Sequence, residues 1–246
     1  NVYGGEGDGD YVIVNDSGDD NANIGYFENA TVTGLDMAGS VTVDSNTENL
    51  EISLGAQIDT FYVRSAPAGV ETRIKLHGGL DTVYVGNSAN TLDDIQGMVI
   101  IEGKPFANDA LFIMDMGYTG GRIYTITNNP NAFTLIHLGT GAEIPMDETT
   151  ISLLGGGQIK YQTMETVVLN AGSGADTLNL EAIHNDRDPG GGTNATFTFN
   201  GGDGDDVVNV GQSDLGGKTL EFIDIISMFN GQEGNDSIFF EHTASL

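Results

Sequence analysis

Glycine and aspartate recur together along this chain, in Gly4-Gly5-Glu6-Gly7-Asp8-Gly9-Asp10, Gly172-Ser173-Gly174-Ala175-Asp176, Gly201-Gly202-Asp203-Gly204-Asp205-Asp206 and Gly231-Gln232-Glu233-Gly234-Asn235-Asp236. Each run leads directly into an alternating apolar stretch: YVIV, TLNL, VVNV and SIFF. Glycine tolerates the positive φ that such tight turns demand. If turns of this kind stack, carboxylates and turn carbonyls from two layers face one another. An all-oxygen cage of that sort suits a hard cation such as Ca²⁺ and not a transition metal. The plain alternative is a set of solvated turns, where Asp and Asn are common for conformational reasons.

The elements that would position such turns are strands. Three weaker copies of the turn end at Asp59, Asp81 and Asp109, so the Asp positions 10, 59, 81, 109, 176, 206 and 236 are separated by 49, 22, 28, 67, 30 and 30 residues. Steps of 22 to 30 fit one coil of a parallel β-solenoid, and the two long steps fit two coils each. Between turns, Thr31-Val32-Thr33, Val41-Thr42-Val43 and Thr196-Phe197-Thr198-Phe199 show the period-two, β-branched pattern of a half-buried strand. No amphipathic helix is legible.

A longer repeat lies above the coils. Glu48 to Asp59 matches Glu165 to Asp176 at an offset of 117, and Val70 to Gly86 matches Ala195 to Gly211. The reading is an all-β chain, a single β-solenoid array over 1–246 with about nine coils. Its internal units are 1–101, 102–228 and the start of a third at 229–246, and an insertion at Asn129 to Glu148 should bulge from one side. At ~4.8 Å per strand such an array is a rod roughly 45 Å long.

The run Gly201 to Asn209 resembles the GGxGxDxUx nonapeptide of RTX, or haemolysin-type, calcium-binding repeats, and Gly231 to Ile238 and Ala171 to Leu178 each resemble it apart from one Gly. The resemblance implies Ca²⁺ ligands at Asp176, Asp203, Asp205, Asp206, Asn235 and Asp236, with Asp8 and Asp10 next. Asp59, Asp81 and Asp109 keep the Asp and lose the glycines. RTX nonapeptides run in tandem, whereas here one motif occurs per coil. The longer unit looks like the tandem repeats of very large secreted or surface proteins of algae and some bacteria, which implies an extracellular location and an architecture, not a reaction.

The chain carries 36 Asp and Glu against 8 Lys and Arg, a net charge of −28. Nucleic acid and anionic membrane surfaces would repel it. Glycine at 36 residues beside only 5 Pro argues for many turns between short segments and against a disordered tract. There is no Cys, so neither disulfides nor thiolate sites contribute. No apolar run is long enough to span a membrane as a helix. The opening residue is Asn1 and not Met, which points to a processed product or a segment of a longer precursor.

Asn-x-Ser/Thr sequons stand at Asn15, Asn29, Asn194 and Asn235. The one local group with catalytic potential is His184-Asn185-Asp186-Arg187-Asp188, since β-helix polysaccharide lyases combine acidic Ca²⁺ ligands with a nearby Arg or Lys. The Pro189-Gly190-Gly191-Gly192 that follows marks it as a surface loop, and no catalytic residue is assigned. Phe61, Tyr62, Tyr84, Phe112, Tyr124, Phe239 and Phe240 read as core residues. Three functions stand in order: a Ca²⁺-stabilised structural or adhesive module of an extracellular rod, joined end to end to further copies; a Ca²⁺-dependent polysaccharide lyase or epimerase; and a carbohydrate- or ice-binding face. The regular Thr ladders that ice binding favours are not visible in the sequence.

Overall fold

The computed structural model describes residues 7, 9–104, 107–136, 143–183, 195–211, 220, 223 and 225–241. Among them regular structure is entirely β, in two large sheets. Sheet 1 contains β1 (Tyr11–Asn15), β5 (Asn49–Ser53), β7 (Glu71–Lys75), β9 (Met98–Glu102), β11 (Ile123–Ile136), β12 (Glu143–Leu153), β13 (Gln158–Gln162), β15 (Thr177–Leu180), β17 (Val207–Val210) and β19 (Ser237–Phe240). Sheet 2 contains β2 (Ile24–Glu28), β3 (Thr31–Gly34), β4 (Val41–Thr42), β6 (Thr60–Val63), β8 (Thr82–Val85), β10 (Ala110–Met114), β14 (Thr166–Asn170), β16 (Thr196–Asn200) and β18 (Ile226–Asn230).

The chain passes from one sheet to the other and back, so that β5, β7, β9 and β13 of sheet 1 lead into β6, β8, β10 and β14 of sheet 2. Sheet 2 runs β18-β16-β14-β10-β8-β6-β2-β3-β4, parallel throughout except for the antiparallel β2, β3 and β4 at one edge. Sheet 1 runs β1-β5-β7-β9-β13-β12-β11-β15-β17-β19, parallel except that β12 lies antiparallel between β13 and β11. Two parallel-rich sheets joined in this way are compatible with a β-helix.

Period-two burial explains the strands. In β6, Phe61 and Val63 are fully buried while Thr60 and Tyr62 face out, and β8, β15 and β17 repeat the pattern. Parallel, in-register pairing carries each inward residue onto the next, as in Phe61 on Val83 and Val83 on Leu111, building one continuous core between the sheets. Each such side chain contributes ~1.5–3 kcal/mol.

The 117-residue repeat takes an unexpected place. Asn49–Ser53 forms β5 in sheet 1, but its counterpart Thr166–Asn170 forms β14 in sheet 2. Equivalent sequence segments thus sit on opposite sheets. The change of sides comes before the insertion: β1, the first strand of unit 1–101, lies in sheet 1, whereas β10, the first strand of unit 102–228, already lies in sheet 2. The insertion itself forms β11 and β12, a hairpin that enters sheet 1 with β13, and residues 137–142 lie outside the described residues.

The aromatic residues need a correction. Phe61 and Tyr124 are fully buried, as a core reading requires. Tyr62, Tyr84 and Phe112 instead face outward and stack in a row with Tyr26, with ring centroids 5.1, 4.9 and 5.1 Å apart and interplanar angles of 12°, 11° and 16°. Adjacent residues of a strand point to opposite faces, so a buried Phe61 forces Tyr62 out. Phe239 and Phe240, on the edge strand β19, are 51% and 65% exposed; Phe240 is in register with buried Val210, but no further strand covers it among the described residues.

Candidate functional site: two carboxylate columns

The Asp-terminated turns form two columns, not one. Asp59, Asp81 and Asp109 stand where the chain passes from sheet 1 into sheet 2, and Asp176, Asp206 and Asp236 where it passes back. In the first column each backbone N–H donates to the acid of the next coil: Asn23 to Asp59 Oδ1 at 2.7 Å, Asp59 to Asp81 Oδ1 at 2.8 Å, Asp81 to Asp109 Oδ1 at 3.0 Å and Asp109 to Glu165 Oε2 at 2.8 Å. In the second, Arg122 donates to Asp176 Oδ1 at 2.6 Å, Asp176 to Asp206 Oδ1 at 2.8 Å and Asp206 to Asp236 Oδ1 at 3.1 Å.

The second oxygen commonly closes the turn of its own coil. Gly55 N–H donates to Asp59 Oδ2 at 2.8 Å, Lys104 to Asp109 Oδ2 at 3.0 Å and Gly172 to Asp176 Oδ2 at 3.2 Å. A corner peptide cannot join the strand ladder, so these carboxylates satisfy donors that burial would otherwise orphan. Two oxygens are left over. Asp81 Oδ2 and Asp206 Oδ2 are buried without a hydrogen-bond partner, in side chains that are 1% and 2% exposed.

Burial raises the proton affinity of Asp81 and Asp109 in the first column and of Asp176 and Asp206 in the second. Desolvation, aided by the Asp109 and Asp59 charges, pushes Asp81 to about 7, and desolvation with the Asp206 charge pushes Asp176 to about 6. Asp109 and Asp206 are also raised, chiefly by desolvation.

The remaining candidates lie elsewhere. Asp203, Asp205 and Asn235 are exposed on the outside of the second corner, where Asn235 N–H donates to Asp205 Oδ1 at 2.9 Å and Asp203 bridges to Glu233. Asp236, the last rung, is exposed. Asp10 belongs to neither column; its N–H donates to Glu48 Oε2 at 2.8 Å. Asp8 lies outside the described residues, as do Asn194 and the His184 to Asp188 group. Asn15 and Asn29 are exposed, and Asn29 takes a φ of 49° in the turn between β2 and β3.

Glycine spacing is explained at one turn in particular. Gly202 has a φ of 94°, and a Cβ there would run into the carbonyl oxygen of Gly172 in the coil below. At Gly201 a Cβ would land on Asp206 Oδ2. The glycines therefore leave room for the carboxylate and for the close approach of successive turns.

Sequence reasoning missed several members. Asn23, Glu165 and Arg122 complete the columns without a GxGxD motif; their signal was position, one residue before a strand. It also missed Asp115, which is fully buried and accepts hydrogen bonds from the Tyr124 hydroxyl at 2.6 Å and Leu92 N–H at 2.9 Å. Arg122 Nε stands 2.6 Å from Asp115 Oδ2, off the line of a hydrogen bond, so that contact is an ion pair. The Arg122 guanidinium also lies 3.8 Å from the Tyr118 ring centroid and pairs with Asp93. Desolvation raises Asp115, against the lowering effects of Tyr124 and Arg122.

The outer face of sheet 1 is charged over β5, β7, β9 and β13, whereas β15 and β17 present Thr177, Asn179, Val207 and Asn209. Sheet 1 presents charged pairs: Arg73 with Glu71 and Glu102, Lys75 with Glu51 and Lys160 with Glu148. On sheet 2, pairing aligns Thr60, Thr82, Ala110, Thr166 and Thr196 in one outward row, and Tyr62, Tyr84, Phe112, Val168 and Thr198 in the next. A third row, Met114, Asn170 and Asn200, is linked by an amide ladder in which Asn200 Nδ2 donates to Asn170 Oδ1 at 2.8 Å.

Among the described residues, no group of three or more His, Cys, Asp or Glu side chains is arranged to hold a metal ion. The donor chemistry of the second column still fits a hard cation in part, because Asp206 Oδ2 is a buried carboxylate oxygen without a hydrogen-bond partner, in a residue whose N–H is bonded to Asp236. No protein-family model matches this chain, and neither a curated protein nor a solved structure matches it.

Proposed function

We propose that the chain is a structural or adhesive module of an extracellular rod or filament: one parallel β-solenoid of about nine coils, built as units 1–101, 102–228 and 229–246, and stabilised by Ca²⁺ at its second corner. The observation that carries this reading is the in-register stacking of parallel strands with the corner carboxylates that accompany them, because a chain built of stacked, repeating passes is one that can be extended. Asp176, Asp206 and Asp236 would hold the ion, with Asp203, Asp205 and Asn235 supplying outer oxygens; Asp8 and Asp10 would serve the equivalent turn before β1. Bound there, Ca²⁺ supplies positive charge where desolvated carboxylates repel.

End-to-end association with further copies belongs to the same proposal. The edges of sheet 1 are β1 and β19, both preceded by a Gly-rich acidic turn, and both expose outward apolar residues: Tyr11 and Ile13 on one, Phe239 on the other. The reading is non-enzymatic. The most elaborate polar constellation described, Asp115 with Tyr124 and Arg122, has its acid and its phenol fully buried, where no polymer reaches them.

Thermal melts with Ca²⁺ and with a chelator, at equal ionic strength, test the ion. Free Ca²⁺ at a hundred times its dissociation constant adds ~2.7 kcal/mol. Equal midpoints would remove the calcium part of the reading, and a compact capped monomer by small-angle scattering at all Ca²⁺ levels would remove the filament part.

A further inference from the structure

We propose that the outer face of sheet 2 is a docking surface for an uncharged polysaccharide, lying across the strands along the rows. The first observation is charge. On β6, β8, β10, β14 and β16 no outward-facing residue is Asp, Glu, Lys or Arg, in a chain of net charge −28. On sheet 1, β5, β7, β9 and β13 carry Glu51, Glu71, Arg73, Lys75, Glu102 and Lys160 outward, while β15 and β17 carry no charge outward. Depletion of charge marks the core of a binding patch. A polyanion would be repelled by the chain as a whole, and a polycation would find its carboxylates elsewhere.

The second observation is the chemistry of the face. The hydroxyls of Thr60, Thr82, Thr166, Tyr62 and Tyr84 make no hydrogen bond to a described residue, so they are available to an outside partner. Alternating donors and acceptors of this kind, set among apolar groups, match a hydroxylated, neutral polymer. They do not match a second apolar sheet, which would call for Val, Ile or Leu in these rows.

The third observation is periodicity. The rings of Tyr26, Tyr62, Tyr84 and Phe112 repeat at 4.9 to 5.1 Å. Their faces are occupied by one another, so they form a ridge of ring edges and not a set of separate stacking platforms. Beside that ridge Thr60, Thr82, Ala110 and Thr166 form a row that repeats strand by strand. A polymer with one sugar per rung can therefore meet a Thr hydroxyl at Thr60, Thr82 and Thr166 and a ring edge at Tyr62, Tyr84 and Phe112, and weak contacts add along its length. At one end the Arg64 guanidinium covers Tyr26 and Tyr62, 4.7 and 5.6 Å from their centroids, and is neutralised by Glu28 at 3.3 Å.

This inference does not depend on calcium or on filament formation. The test is affinity electrophoresis of the whole chain through native gels containing hydroxyethyl cellulose, laminarin or, as anionic comparison, alginate. The expected result is retardation by at least one neutral glucan and none by alginate, with affinity reduced at least tenfold in the double variant Thr82→Glu, Thr166→Glu. Glu71→Gln on sheet 1 should leave retardation unchanged, and melting curves of all variants report whether the fold is retained. If the double variant melts early, Thr82→Asn with Thr166→Asn, which keeps the face uncharged, should retain retardation while Tyr84→Ala weakens it. Absence of retardation in both neutral gels, or retardation equal in wild type and double variant, overturns the proposal. So does a dimer in sedimentation that Thr82→Glu dissociates, because the face would then be packing against its own copy.

Discussion

Replacing Asp81 with Asn tests whether the corner carboxylates are held against their charge. Asp81 Oδ1 accepts the Asp59 N–H at 2.8 Å and Oδ2 has no partner. An amide keeps the first contact and removes the charge, and Asn23 already stands at the start of the same column. The folded-state value of about 7 lies above the ordinary 3.8. Between these values the folded protein holds a proton that the unfolded chain has lost, so the stabilising contribution is complete below about pH 4 and is lost as pH rises through 7. At ~1.4 kcal/mol per tenfold change in proton affinity the full loss is roughly 4 kcal/mol, part of it shared with Asp59 and Asp109. Urea unfolding in calcium-free buffer should therefore find Asp81→Asn about 2–4 kcal/mol more stable than wild type at pH 8, and within ~1 kcal/mol of it at pH 4. The overall repulsion of an acidic chain also grows with pH, but it is nearly the same in both proteins and cancels in the difference. A variant less stable than wild type at pH 8, or a difference that does not change with pH, would refute the reasoning.

Gly202→Ala combines a φ of 94° with a collision against the Gly172 carbonyl, so it should lower stability by more than ~2 kcal/mol in denaturant titrations. Gly9→Ala, at a φ of 98° with open space around it, should cost only ~1–2 kcal/mol of backbone strain. Tyr124→Phe removes the hydroxyl that donates to buried Asp115 and should cost ~1–3 kcal/mol. Because that hydrogen bond lowers the Asp115 proton affinity, the loss should be larger at pH 8 than at pH 5, and equal losses would count against it. Secretion from a eukaryotic host should place a glycan on Asn29, exposed at a hairpin turn, as peptide mass mapping after glycosidase treatment would register.

The sequence by itself determined the β class and many of the strands and turns. Alternation in Thr60-Phe61-Tyr62-Val63 or Val207-Val208-Asn209-Val210 can be read only as strand, and the Gly-rich acidic runs fall at corners because few other sequences turn so tightly. The same local signals left the partners of those corners open. Asp59 and Asp176 carry matching motifs, yet they stand at opposite crossings between the sheets, because the first unit starts on sheet 1 with β1 and ends on sheet 1 with β9, so that the second starts on sheet 2 with β10. Whether an Asp faces solvent, an ion or a backbone N–H depends on the coil stacked next to it, a contact between residues 22 to 30 positions apart that no local pattern encodes.

The Thr and Tyr rows make the same point on the surface. Thr60, Thr82, Thr166 and Thr196 are scattered in the sequence, and no Thr ladder is legible there; parallel pairing in register brings them into one line. Strand period fixes which residues share a face, and this is local. Register fixes which residues share a row, and it is set by the fit of whole coils upon one another, so only the tertiary structure decides it.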